Sequence, residues 1–134
     1  MTNNTTRRRL LAFLGLAPVA AVAPAAPPPA RALRAPVRVL FTRVNGEAYY
    51  QAREALPSLA MDQPVTLRRE PDNPYDQRAI EVLDVAGRKL GYIARSDNSA
   101  VARMMDAGER FEARVARLDR HTTEIRLMVD WLPA

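Results

Sequence analysis

Four tyrosines and one carboxylate are the residues with the most chemistry to offer. Tyr49, Tyr50, Tyr75 and Tyr92 are all the tyrosines of the 134-residue chain. Asp76 follows Tyr75 within Arg68-Arg69-Glu70-Pro71-Asp72-Asn73-Pro74-Tyr75-Asp76-Gln77-Arg78. An exposed tyrosine ring is a platform for base stacking, contributing about 1–3 kcal/mol per base with little regard to sequence. A tyrosine turned inward is simply a large piece of core. At least one of the four is expected inside, with Tyr50 the first choice, because adjacent residues rarely share a face. Arg69 and Arg78 flank the acidic corner, and Arg43 and Arg95 stand further off; such side chains hold phosphates.

Other chemistries find less support. Glu70, Asp72 and Asp76 offer the oxygen ligands that Mg²⁺ prefers, which leaves a metal-dependent nuclease as a weaker alternative. There is no cysteine, and His121 is the only histidine, so neither a thiolate nor a histidine metal cluster is expected. No nucleophile has a base beside it, and no GxxxxGK[ST] element appears. The expectation is a non-enzymatic module without metal or cofactor.

The corner needs elements to hold it. Pro71 and Pro74 fix φ twice and bias Glu70 and Asn73 toward extended backbone. Asp72 and Asn73 can accept nearby backbone N–H groups as in an Asx-turn. The stretch therefore reads as a stiff, exposed corner between strands Val65–Arg69 and Ala79–Leu83, longer than a simple hairpin requires. Val37 to Val44 alternates as a first strand, with Val37, Val39 and Phe41 against Arg38, Leu40 and Thr42. Tyr49 to Leu59 reads as a short helix, from the spacing of Tyr49, Ala52 and Leu56. Asp84–Lys89, centred on Gly87, turns into a fourth strand ending near Ala94. Ser96 to Ala107 is the clearest helix, with Ser96 as N-cap, an apolar face of Val101, Met104 and Met105, and Gly108 beyond its end. Asp97 and Asn98 read as ordinary first-turn residues. Arg110–Leu118 and Thr123–Leu132 alternate again, and Trp131 is assigned to the core or to barrel closure. About six strands with one or two short helices suit a mainly β, closed or nearly closed barrel, which removes exposed edges.

Residues 1–35 stand apart from this domain, which spans 36–134. Thr6-Arg7-Arg8-Arg9-Leu10-Leu11 leads into an uncharged apolar run to Ala26, interrupted by Pro18 and Pro24 and short of the roughly 20 residues of a membrane span. Basic, apolar and small residues in that order make an export signal of the twin-arginine kind. The alternative is a disordered Ala/Pro-rich arm on a protein that stays in the cytoplasm. The arm also owns the net charge of +5. Without Arg7, Arg8, Arg9, Arg31 and Arg34, 15 basic residues face 15 acidic ones. Any nucleic-acid affinity of the domain must come from a local basic face and should be salt-dependent.

Three motifs in order sharpen the reading: Val44-Asn45-Gly46-Glu47-Ala48-Tyr49-Tyr50, then the Arg69-to-Val82 stretch with its N-P-Y-D-x-x-A-I-x-V block, then Gly87-Arg88-Lys89-Leu90-Gly91-Tyr92-Ile93-Ala94-Arg95. Together they resemble the HIRAN domain over roughly Val37 to Leu132. The resemblance implies a small OB-like β-barrel, a type attached to SWI/SNF-type remodelling helicases and also found alone in bacteria. Helicase-linked members bind single-stranded DNA and hold its free 3′ end. There, the aromatic positions matching Tyr49 and Tyr75 hold the terminal nucleotides, and the carboxylate matching Asp76 accepts from the 3′-hydroxyl. An ionised carboxylate accepts from a hydroxyl but repels a phosphate, so such a role separates a free end from a phosphorylated one. The alternative for Asp76 is that it satisfies N–H groups of its own turn. On this basis Tyr49, Tyr50, Arg69, Asn73, Tyr75, Asp76, Arg78, Tyr92 and Arg95 are the expected nucleic-acid-binding residues, with a single-stranded DNA 3′ end as the expected partner. Three departures weaken the transfer: Ala48 stands where helicase-linked members carry arginine, Asp72 where Asn is common, and Gln77 where a basic residue is usual. An exported envelope protein using the barrel for another ligand is the competing class.

Overall fold

In the computed structural model, residues 34–134 are described; the expected export signal lies outside them. The elements run β1 (Val37–Asn45), α1 (Ala52–Ala55), a 3-10 turn (Leu56–Ser58), β2 (Pro64–Arg69), β3 (Ile80–Leu83), β4 (Lys89–Ile93), α2 (Asn98–Asp106), β5 (Arg110–Asp119) and β6 (Glu124–Leu132). The six strands close into an antiparallel barrel in the order β1-β4-β3-β2-β5-β6. This is the mainly β barrel with two short helices that the sequence patterns predict.

Register decides which half of each alternation faces in. On β6 the inward residues are Ile125, Leu127 and Val129, all fully buried. Leu40 pairs with Val129 and Thr42 with Leu127, after a bulge between Arg38 and Leu40. Thr42 and Val44 are therefore buried, while Phe41, opposite Met128, faces outward, and Val37 at the strand's start and Val39 in the bulge are exposed as well. Trp131 sits where the barrel closes, opposite both Val37 and Phe111. Its indole N–H donates to Glu109 at 2.7 Å.

The barrel closes unevenly. Strands β5 and β6 pair along nearly their whole length, from Arg110–Leu132 to Asp119–Glu124. By contrast, β2 meets β5 only at Pro64–Arg114 and Val65–Ala113, with Asp62 and Gln63 adding bonds to Val115. Past Val65 the two strands part around a cavity of about 380 Å³.

Both helices differ from the sequence expectation. The helix expected over Tyr49–Leu59 shrinks to α1 and the 3-10 turn. Ala52 and Leu56 are buried as its spacing requires, but Tyr49 is 87% exposed and lies in a turn whose N–H donates to the Gly46 carbonyl. The N-cap of α2 is Asp97, not Ser96. The Asp97 carboxylate is occupied by the hydroxyls of buried Thr42 at 2.7 Å and Ser96 at 2.8 Å, so it ties the helix to β1 instead of capping N–H groups. The other end is as expected. Gly108 at φ +89° donates to Met105 O while Glu109 donates to Met104 O, which is a Schellman termination. Among the described residues no helix is long and apolar enough to cross a membrane.

Candidate nucleic-acid interface

The β2–β3 loop carries most of the site, and its own side chains fix its shape. Asn73 Oδ1 accepts from the N–H groups of Tyr75 at 2.9 Å and Asp76 at 3.1 Å, the Asx-type turn that the sequence suggests. The Asn73 amide donates to Glu70 and to the Tyr92 hydroxyl, both at 3.2 Å. Arg69 clamps the loop from beneath. It donates to the carbonyls of Ala79 at 2.6 Å and Gln77 at 2.9 Å, and forms a two-pronged pair with Asp106 of α2 at 2.9 and 3.1 Å. Of the expected binding residues, Asn73 and Arg69 are thus occupied with holding the loop, and their side chains have little left for a ligand.

What the loop presents is Tyr75, 85% exposed. Across from it stands Tyr49 on the turn after β1. The two line a slot of about 270 Å³ together with Gly46, Tyr50, Asp76, Tyr92 and Arg95. None of the four tyrosines is fully buried, so the inward place expected for Tyr50 is not taken up. Tyr50 is 38% exposed and meets Tyr92 edge-on, with centroids 5.6 Å apart at 74°. The two rings form the slot's floor, because Lys89 binds them together. Its ammonium lies 4.5 Å from the Tyr50 centroid and 4.1 Å from that of Tyr92, an arrangement that attracts the cation to the ring faces.

A compact polar network anchors this floor. Lys89 donates to the Tyr92 hydroxyl at 2.6 Å, and that hydroxyl donates to Glu70. Burial and the bond to Glu70 push the Tyr92 phenol up to about 12, so it stays a donor. The bonds from Tyr92 and then Asn73 hold the Glu70 carboxyl below its ordinary value. Lys89 and Tyr92 share a face only because β4 carries one extra residue. Gly91 pairs with Val82 but Lys89 with Leu83, which leaves Leu90 as a bulge and breaks the alternation that would separate them.

Asp76 stands at the rim of the slot. Its Oδ1 accepts from the N–H of Arg78 at 2.9 Å and its Oδ2 from the amide of Asn98 at 2.7 Å. Burial alone would raise its carboxyl, but the Arg78 N–H, the Asn98 amide and the charges of Arg95 and Arg78 together hold it below its ordinary value. An ionised carboxylate has about four lone-pair sites, so each oxygen can still accept one bond. Satisfying its own turn and receiving a ligand hydroxyl are therefore compatible.

Asn98 is the site residue that sequence reasoning missed. It is 1% exposed and sits in the first turn of α2, where it reads as an ordinary polar residue. The signal was its spacing: Asn98, Val101, Ala102 and Met105 fall on one helical stripe. A polar residue on a buried stripe calls for a partner, and that partner is Asp76.

The arginines divide. Arg43 turns to Glu47 at 3.2 Å, away from the slot and beside Ala48. Arg95 lines the slot, and Arg78 lies on the far side of Tyr75. The carboxylates do not gather as a metal site would require: among the described residues no group of three such side chains could hold an ion. Glu70 faces Tyr92 and Asn73, Asp76 faces Asn98, and Asp72 is exposed.

Comparisons with known proteins match this architecture. A HIRAN domain family model covers residues 37–132. A crystal structure of a protein from Lactobacillus plantarum is 37% identical, with a TM-score of 0.71 over 75% of this chain and 98% of that one. The crystal structure of the HIRAN domain of human HLTF is 27% identical, with a TM-score of 0.58 over 69% of this chain and 73% of that one. The Helicase-like transcription factor of Mus musculus is 52% identical over 42 residues, 31% of this chain. The chain spans only 4% of that relative's length.

Proposed function

The chain belongs to the HIRAN domain family, and from that premise we propose that it is a non-enzymatic module that binds the 3′ end of single-stranded DNA. The observation that carries this reading is the slot itself: two highly exposed tyrosines, Tyr49 and Tyr75, face a common cavity with an ionised carboxylate at its rim. Exposed rings stack on bases without reading sequence. Asp76 accepts a terminal hydroxyl and repels a terminal phosphate. Arg95, which also lines the slot, holds the adjacent phosphodiester. Tyr50, Tyr92 and Lys89 keep the floor rigid, so little ordering remains to be done on binding. Glu70 and Asp76 are committed to neighbours within the fold, which favours a binding role over hydrolysis.

The test is a titration of the full chain with a short oligonucleotide ending in 3′-OH and its 3′-phosphate twin at low salt. The hydroxyl form should bind about tenfold more tightly or better, since a hydrogen bond to a charged group contributes about 1.5–3 kcal/mol. Asp76→Ala should erase the preference, and Tyr75→Ala should cost more total affinity than Asp76→Ala does. Equal affinity for the twins removes end recognition. Absence of binding to either removes the nucleic-acid reading and leaves the barrel with another ligand.

A further inference from the structure

Behind Tyr75 lies a second concavity, of about 460 Å³, which shares Tyr75, Asp76 and Arg95 with the slot. The loop bearing Tyr75 is thus a partition between two spaces of different chemistry. On the slot side the walls are aromatic. On the far side they are guanidinium groups: Arg78 from the β2–β3 loop, Arg95 from the β4–α2 connection and Arg103 from α2. All three are exposed, and none is among the ion pairs that the described residues form. What sets these three apart from the other arginines outside ion pairs is that they line one space. The carboxylates that face the groove are both engaged. Asp106 is held by Arg69 at 2.9 Å, and Asp76 by Arg78 N–H and Asn98. Three elements therefore converge on one space in which Arg78, Arg95 and Arg103 outnumber the single carboxylate, Asp76, that is not paired with Arg69, and the planar fork of each arginine suits a phosphate.

We propose that this groove seats the phosphodiesters of the nucleotides 5′ to the end held in the slot, with the strand folding over Tyr75 and Arg103 supplying the outermost contact. The inference rests on the strand-binding reading of the slot and extends it from a terminal nucleotide to a longer footprint. Length then contributes affinity through charge, so the gain from added nucleotides is the salt-sensitive part.

The experiment compares thymidine dinucleotide and hexanucleotide, both with 3′-OH, on the full chain and on the double variant Arg78→Ala/Arg103→Ala. The hexamer should bind the unaltered chain about tenfold more tightly than the dimer. In the double variant that gain should largely vanish, while the dimer, too short to reach the groove, loses much less affinity than the hexamer. The slope of log affinity against log salt for the hexamer should fall by about 1.4, the value for two single-strand phosphate contacts. Arg103→Gln alone, a change on an exposed helix face, should remove about half of the gain and serves if the double variant melts early. A hexamer no tighter than the dimer, or a gain that survives in the variants, overturns the groove and leaves the slot intact. So does an equal loss for both lengths, which would place the arginines at the terminal nucleotide. Failure of both oligonucleotides to bind the unaltered chain is a separate outcome: it removes the slot reading and the groove with it.

Discussion

Replacing Asn98 by Asp would exchange the amide that donates to Asp76 at 2.7 Å for a second carboxylate at the same place. Two carboxylates so close cannot both ionise, and one takes a raised pKa. The unaltered Asp76 behaves the other way. Its folded value lies below the ordinary 3.8, so its stabilising effect is complete above 3.8 and is lost as pH falls through the folded value. The prediction for Asn98→Asp is a stability loss at neutral pH of about 1–3 kcal/mol, the penalty for a poorly satisfied polar group. That gap should narrow as the pH falls through the raised value of the pair and one proton is shared. Urea unfolding of both proteins across that range measures it, and a gap independent of pH would count against the contact. At this scale the tyrosines and Asp76 were legible as candidates through their motif. Asn98 was open to discovery from helical spacing. Lys89 was not, because only the bulge at Leu90 brings it beside Tyr92, and strand alternation would have set the two apart.

The seam between β1 and β4 is short, from Val44–Ile93 to Asn45–Tyr92, and one glycine makes it possible. A Cβ on Gly91 would lie 2.3 Å from the Asn45 carbonyl oxygen and 2.8 Å from Val44 Cγ1, on a backbone with φ +151°. Gly91→Ala should therefore force β4 off β1, destabilising the domain by about 1–3 kcal/mol as overpacked cores do. Since Tyr92 follows directly, the slot floor should loosen too, and the near-ultraviolet tyrosine signal should weaken before the far-ultraviolet β signal does. An alanine variant with unchanged melting would show that β1 yields cheaply. Strand positions were legible because period-two alternation survives in β1, β2, β5 and β6. Their facing was less so: Val37, Val39 and Phe41 form the more apolar half of β1 and yet are exposed, Phe41 because it pairs with outward Met128, Val39 because it is the bulge residue, and Val37 because it lies at the strand's open end. The overlong helix expected from Tyr49 rested on three residues at helical spacing, which a four-residue helix and a 3-10 turn satisfy equally well for Ala52 and Leu56.

Across the whole domain, net charge was a poor guide, because the excess lies in residues 1–35 and the remainder balances. What matters is where unpaired charge collects, and that depends on three elements meeting behind Tyr75, which no linear pattern records. The uneven closure of the barrel has a further consequence. With two short seams, β2–β5 and β1–β4, against the long β5–β6 ladder, excursions of the native state should begin at the short seams, β2–β5 among them, since local opening follows the less supported parts of a structure. Amide protons of Asp62 and Val115, whose bonds span that seam at 2.8 and 2.9 Å, should exchange with solvent deuterium through smaller openings than those shared by β5 and β6. Arg69→Ala, which cuts the tie from β2 to α2, should lower their protection further while leaving the β5–β6 amides unchanged. Equal protection on both sides would mean that the barrel opens only as a unit. If the seam does breathe, the tyrosine partition is mounted on its moving lip, and the width of the slot becomes a fluctuating quantity with a lifetime, which sets how fast a strand end can enter or leave.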